Sequence, residues 1–113
     1  MSSGFTVVEV LVALIVVATG LLGVAGASAT ALRASAAAMR ERAAVVRAQS
    51  RLALLESVGC TGATGGERLL PDGLVDRWTV GAPENGVRLV DAWAEWDDSG
   101  RRRHVLLRGA LLC

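Results

Sequence analysis

Residues 4–29 of the chain, GFTVVEVLVALIVVATGLLGVAGASA, form an apolar stretch that carries a single charge, at Glu9. A helix of about twenty residues, such as Val10 to Ala29, rises about 30 Å and matches the hydrocarbon core of a bilayer. The stretch therefore predicts an N-terminal membrane-spanning helix. The presence of Glu9 requires an explanation, because the insertion of an ionisable side chain into a membrane costs ~2.5–3.5 kcal/mol of free energy at the centre and less near an end.

Two simpler interpretations of the stretch do not account for Glu9. A cleaved secretory signal expects a basic leader and a shorter apolar core, whereas MSSG contains no Lys or Arg. A plain single-pass anchor leaves the carboxylate without a partner, since the nearest arginine is Arg33. Cleavage after Gly4 would instead create a positive amine at Phe5, one helical turn before Glu9.

The segment GFTVVE, residues 4–9, followed by VLVALIVVATGLLGVAG, resembles the N-terminal segment of type IV prepilins. The resemblance covers residues 4 to about 35 and is greatest to PilV-type minor pilins and to minor pseudopilins of type II secretion. It implies that a prepilin peptidase cuts after Gly4 and that Phe5 becomes an N-methylated N-terminus. It also implies that Glu9 meets the Phe5 amine of a neighbouring subunit during filament assembly.

The resemblance implies a location and a set of partners. The chain would be a single-pass protein of the inner membrane with a periplasmic head, and would then join a pilus or pseudopilus. Its partners would be the prepilin peptidase, other pilin or pseudopilin subunits and the membrane. The arginine count after residue 33 favours the opposite orientation, with a cytoplasmic head.

The resemblance favours a minor structural subunit of a type IV pilus that initiates or modifies the filament. One alternative is a minor pseudopilin of a type II secretion system. The second alternative is an unprocessed single-pass anchor that carries a small binding module.

The composition gives no indication of an enzyme, a cofactor or a nucleic-acid partner. The chain has 113 residues, enough for one small domain, and a net charge of +1. His104 has no Ser or Cys placed beside it as a nucleophile, and CTGATGG (residues 60–66) lacks the GxGxxG pattern and the Lys of phosphate loops. Asp97 and Asp98 are typical of a turn and lack further ligands at calcium-loop spacing.

The two cysteines, Cys60 and Cys113, lie in no CxxC pair, and one histidine is too few to complete a metal site with them. We expect a single disulfide in an oxidising compartment; the alternative is two unpaired buried thiols.

Helical patterning continues beyond the apolar stretch and predicts one helix from about Thr6 to Ser57, ending at Val58-Gly59. Apolar residues recur at intervals of three, four and seven residues. Small residues also form a stripe that suits close packing on a sheet or on other helices: Ala29, Ala36, Ala37, Ala43 and Ala44. Arginines on a different face predict a solvated surface or contacts with neighbouring subunits: Arg33, Arg40, Arg47 and Arg51.

Turn residues beyond position 59 separate three strand candidates, 74–80, 87–96 and 101–112. Trp78 and one of Trp93 or Trp96 are expected to anchor the sheet on the helix, although alternation does not decide which face is buried. The predicted fold is α+β, a long N-terminal helix packed on a small antiparallel sheet of about three strands. The predicted organisation is a leader (1–4), a membrane half of the helix (5–29), a soluble half (30–58) and a β head (59–113).

Overall fold

The computed structural model describes residues 4–113 and divides them by packing into two compact units. The first unit ends at Ala36, and the second, called the head below, is Ala37–Cys113. The predicted leader lies, except for Gly4, outside the described residues. The division reflects packing alone, so the functional boundaries at residues 4, 29 and 58 stay predictions.

A single helix, α1, runs from Val7 to Val58, within one residue of the predicted bounds. It ends as its sequence predicts, because Gly59 adopts a left-handed φ of 82° and its N–H donates to the Leu55 carbonyl at 3.1 Å. Glycine accepts this conformation without the steric cost that a Cβ atom would add.

Four antiparallel strands follow in the order of the chain: β1 (Gly66–Leu69), β2 (Val75–Val80), β3 (Val87–Asp98) and β4 (Arg101–Leu112). The predicted α+β class is confirmed, but the sheet has four strands rather than about three. The missed strand is β1, which is short and contains GERL, a sequence without strand-forming periodicity. It exists because its backbone pairs with β2, from Gly66 opposite Trp78 to Leu69 opposite Val75.

A tight turn lies at each end of β3. Ser99 and Gly100 both have positive φ and join Asp98 to Arg101, and Asn85-Gly86 makes a similar turn before β3. Two consecutive residues at positive φ match the right-handed twist of paired strands. β3 and β4 consequently pair without interruption from Val87 opposite Leu112 to Asp98 opposite Arg101.

The buried face of the sheet is the one that carries Val90, Ala92 and Ala94, each at most 1% exposed. Ala44 packs with Leu70, Leu74 and Ala94 in one cluster, to which Trp96 adds its ring. A second cluster lies around Leu55 and includes Ala63, Val90 and Leu111, with Trp78 against it. Trp78 and Trp96 are thus the two anchors, and Trp93 alternates to the other face of β3.

The helix face that meets the sheet differs from the predicted small-residue stripe. Ala44 is buried and Ala37 half-buried, but Ala43 and Ala36 are exposed, and the buried helix side continues through Ala48 to Leu55. Met39 and Val46 point away from the sheet and are 70% and 54% exposed. Alanine lies on every side of this helix, so the spacing of apolar residues did not select one face.

The predicted disulfide is present between Cys60 and Cys113, whose Cα atoms are 5.2 Å apart. It joins the loop after α1 to the residue that follows β4. The N–H of Cys113 also donates to the Gly86 carbonyl at 2.8 Å, so the end of β4 is held both covalently and by the backbone.

We expect the double substitution Cys60→Ser/Cys113→Ser to lower the free energy of unfolding of the head by about 4 kcal/mol, because the bond closes a long loop of the unfolded chain. The sequence separation of the cysteines is 53 residues. Urea unfolding of the full chain in detergent micelles, followed by tryptophan fluorescence, measures this change. A reductant should destabilise the wild type and leave the double variant unaffected; equal stability of the two proteins without reductant would contradict the expectation.

Candidate functional site

The first candidate site is the start of α1, where the predicted processing residues lie. Gly4, Phe5 and Thr6 precede the helix and are exposed, Phe5 by 83%. The peptide bond between Gly4 and Phe5 is therefore outside regular structure, in a segment that another molecule can reach.

Thr6 and Glu9 make a reciprocal contact that the sequence analysis missed. The N–H of Glu9 donates to Thr6 Oγ1 at 3.3 Å, and the N–H of Thr6 donates to Glu9 Oε2 at 3.5 Å. This is the capping box, in which a Thr at the N-cap and a Glu three residues later satisfy free N–H groups of the first turn. The signal was present in the sequence as T-x-x-E before an apolar run.

The capping box gives Glu9 a role within its own chain, but both distances are at the long end for hydrogen bonds. Oε1 of Glu9 makes none of the hydrogen bonds found among the described residues. Glu9 lies in an apolar groove along this turn of α1, beside Phe5 and Ala13, with Val10, Leu14 and Val17 completing the lining. The carboxylate is held at the surface and can accept a further donor.

The apolar part of α1 is long enough and apolar enough to cross a membrane, and no residue in its most apolar stretch is buried within the chain. Its large side chains are exposed throughout, for example Ile15 by 63% and Leu22 by 74%. The hydroxyls of Thr19, Ser28 and Thr30 each donate to the carbonyl four residues earlier, at 2.9–3.0 Å. Hydroxyls satisfied in this way suit an environment without water.

Three glycines lie on this part of the helix, Gly20, Gly23 and Gly26, and α1 continues through all of them. A Cβ atom added at any of the three would meet nothing within 4 Å. The space beside them is therefore unfilled by this chain, and it leaves room for the close approach of another helix.

The head holds one buried charge pair, between Arg51 of α1 and Asp76 of β2. Nε and Nη2 of Arg51 donate to Asp76 Oδ2 at 3.0 and 2.6 Å, and the guanidinium lies 3.6 Å from the centroid of the Trp78 ring. Asp76 is fully buried, and its Oδ1 has no hydrogen-bond partner within residues 4–113. Arg51 therefore faces the sheet and not solvent, which corrects the prediction that it shares an exposed face with Arg33, Arg40 and Arg47.

Two more side chains fix the loop between α1 and β1. Arg88 donates to the carbonyls of Cys60 at 2.6 Å and Gly81 at 2.8 Å, and Trp78 Nε1 donates to the Thr64 carbonyl at 2.8 Å. CTGATGG is thus a structural loop: its carbonyls are held by the sheet, and Gly66 lies where a Cβ would collide with the Trp78 ring. These contacts account for the positions of the Arg88 and Trp78 side chains without a bound ligand.

The remaining sequence candidates, His104, Asp97 and Asp98, each have separate contacts. His104 is exposed on β4 opposite Glu95. Asp97 accepts the N–H of Gly100 at 3.0 Å, which is turn chemistry, and Asp98 pairs with Arg40 at 3.4 Å and Arg103 at 3.5 Å. Over residues 4–113, no three side chains of His, Cys, Asp or Glu come together as a metal site.

Comparison of the chain with protein-family models, curated proteins and solved structures finds no match.

We expect Arg51→Met to lower the free energy of unfolding by about 3–5 kcal/mol, since it leaves the Asp76 carboxylate buried without its cation. The double variant Arg51→Met/Asp76→Leu should recover most of that loss. Arg47→Met, one turn earlier on the exposed side, is the matched control and should change stability by less than about 0.5 kcal/mol. Urea unfolding of the four proteins tests this, and equal effects of the Arg47 and Arg51 variants would contradict it.

A cross-strand pair on the other face of the sheet predicts a pH effect. Arg108 donates to both oxygens of Asp91, at 2.7 and 3.1 Å, and this hydrogen bonding holds the pKa of Asp91 below its ordinary value. The pair therefore stabilises the head above the ordinary aspartate pKa of about 3.9, and the contribution is lost as pH falls through the lowered value.

Arg108→Gln should accordingly reduce the acid sensitivity of unfolding, by a small amount because the pair is exposed. Thermal midpoints measured between pH 2 and pH 7 in low salt test this expectation. Arg42→Gln, on the exposed side of α1, is the control; identical pH profiles for wild type and Arg108→Gln would contradict the prediction.

Proposed function

We propose that this protein is a minor structural subunit of a type IV pilus, made as a membrane-spanning precursor. Prepilin peptidase cuts between Gly4 and Phe5, and the mature chain joins the filament through α1. In the filament Glu9 accepts the Phe5 amine of a neighbouring subunit, and the subunit serves to initiate or modify the pilus. A minor pseudopilin of a type II secretion system is the alternative within the same class.

One observation carries the proposal: the apolar half of α1 has no covering within its own chain. In its most apolar part no residue is buried, whereas the part of α1 from Ala37 onward packs on the sheet. Such a surface is not stable in water, because each buried large aliphatic side chain contributes about 1.5–3 kcal/mol. A lipid bilayer before assembly and other helices after it are two environments that remove this cost.

The environment of Gly4 and Phe5 supports the processing step. A peptidase needs its target bond in an extended, accessible segment, and both residues are exposed and precede the helix. The cut leaves Thr6 and Glu9 in the chain, so the new amine of Phe5 lies next to the first turn of α1, which these two residues cap.

The geometry of Glu9 supports the assembly step. The carboxylate is exposed and accepts one long hydrogen bond, from the N–H of Thr6. The side chains beside it are apolar and cannot neutralise its charge. In lipid, a correctly placed amine from a neighbour would stabilise Glu9, and a misplaced neighbour would not. The charge thus distinguishes correct from incorrect docking.

The disulfide supports a head outside the cytoplasm. Stable disulfides form in oxidising compartments such as the bacterial periplasm, and this one closes the fold of the head. We therefore assign the inner membrane with a periplasmic head, against the orientation that the arginine count favours.

The second candidate function is an unprocessed anchor with a small binding module, and the capping box favours it. If Glu9 serves only to begin the helix, no neighbouring amine is required. The head would then be the functional part and α1 a tether.

Processing is tested by the intact mass and N-terminal peptide of the protein co-expressed with a prepilin peptidase. We expect a mature chain that begins at Phe5, with or without one added methyl group. Gly4→Leu should remain uncut, because the residue before the cut must be small. A wild-type chain that still carries Gly4 in the presence of an active peptidase would reject the proposal.

Two substitutions at Glu9 separate the assembly role from the capping role. Glu9→Gln keeps the capping box, since Gln serves at this position, but removes the charge; Glu9→Leu removes both. We expect both variants to be cut normally and to lose incorporation into sheared filaments by at least about tenfold.

Thr6→Val is the complementary variant, because it removes the cap and keeps the charge; it should retain most of the incorporation. Immunoblots of sheared filaments and membranes measure both quantities. Wild-type incorporation of Glu9→Gln would assign Glu9 to capping alone.

A further inference from the structure

The free edge of β4 is the feature of the head that its internal contacts leave unexplained. β4 lies at one end of the sheet and pairs only with β3 among the strands of residues 4–113. Along an antiparallel edge strand, alternate residues direct their N–H and C=O groups away from the sheet. β4 therefore presents a row of unpaired backbone donors and acceptors along Arg101–Leu112.

The two edges of the sheet are built differently. The opposite edge, β1, covers only the four residues Gly66–Leu69, and a very short edge strand is a common protection against unwanted pairing. β4 is as long as β3, contains no proline, and pairs with β3 without a bulge. Its end is fixed by the disulfide, so the edge is already formed before a partner binds.

The side chains of β4 divide it into two halves. Arg101, Arg102, Arg103 and His104 begin the strand, and the rest, VLLRGALL, is apolar except for Arg108, whose charge is already paired with Asp91. On the outer face Leu106 is 50% and Leu112 is 84% exposed. No acidic residue lies on the strand.

We propose that the β4 edge binds an extended segment of a partner protein, which adds to the sheet as an antiparallel fifth strand. The segment is apolar along Val105–Leu112 and acidic towards its C-terminal end, where it meets Arg101–Arg103. Main-chain hydrogen bonds supply the affinity and the charged end fixes direction and register, as in other strand-addition complexes.

Charge selects the acidic end of the partner. Arg102 and Arg103 reach Glu95 and Asp98 at 3.4 and 3.5 Å, both at the long end for ion pairs, and both remain exposed. Arg101 makes no ion pair among the described residues. A strand laid beside them with carboxylates at this position gains favourable contacts, and a basic or reversed segment meets repulsion.

A second copy of this chain fits the β4 edge less well than a segment of another protein, if the chain is anchored in the membrane as proposed. Antiparallel pairing of two β4 edges requires a two-fold axis perpendicular to the joined sheet. That axis reverses the direction of the helix that packs on each sheet. The two chains would then enter their heads from opposite ends of the joined sheet, which does not suit two copies inserted the same way in one membrane.

The test uses the full chain in detergent micelles and a fluorescent synthetic peptide, Thr-Val-Thr-Val-Thr-Val-Glu-Asp-Glu. Fluorescence anisotropy should show saturable binding at low salt. The reversed sequence, with its acids first, should bind at least about tenfold more weakly. A copy with alternate backbone nitrogens methylated should not bind, because it lacks the N–H groups that pair with β4.

Variants of the protein locate the site. Arg101→Glu should weaken binding of the acid-ended peptide by about tenfold, and Arg68→Glu, on the opposite edge, is the matched control that should leave it unchanged. Because Arg101 has no ion pair to lose, its substitution tests the edge without disturbing the fold, which tryptophan fluorescence confirms.

The outcomes are distinct from those of the proposed function. Failure of the acid-ended peptide to bind, equal binding of the methylated peptide, or equal effects of the Arg68 and Arg101 variants would overturn the strand-addition site. A dimer in sedimentation that is lost on Arg101→Glu would assign the edge to a second copy instead. None of these results depends on cleavage after Gly4 or on Glu9.

Discussion

The head depends on the packing of one face of α1 on one face of the sheet, and small side chains lie at the centre of that interface. Ala44 and Ala48 of α1 and Ala92 and Ala94 of β3 are all fully buried. Larger side chains at these positions would hold the layers apart. Across this interface Arg51 reaches Asp76, and Leu52 lies against Gly109 of β4. The Arg51–Asp76 ion pair and the contacts of Leu55 with Val90 and Leu111 cross this same interface.

The elements with strong local signals could be predicted from the sequence. The length of α1, its stop at Gly59, the turn at Ser99-Gly100 and β4 itself depend on nearby residues whose conformational preferences agree with the final structure. The disulfide was predictable because only two cysteines are present and the apolar N-terminus indicated an oxidising compartment.

The rest required tertiary information. β1 is a strand only because β2 offers it a backbone partner, and GERL carries no preference of its own. The buried face of α1 was ambiguous because alanines surround the helix, so the spacing of apolar residues did not select the side that carries Leu55. Arg51 looked like part of a solvated series because its partner, Asp76, is 25 residues away in sequence. The capping box at Thr6 and Glu9, by contrast, was readable and was overlooked.

The disulfide also decides how the head would carry a mechanical load. All four strands lie between Cys60 and Cys113, the two bonded residues. Tension applied between α1 and the C-terminal end of β4 passes from the helix through the sulfur atoms, and the strands within the loop are not pulled apart. The sheet is thereby shielded from a stretching force, and the head would extend by little until a covalent bond or the helix itself yields.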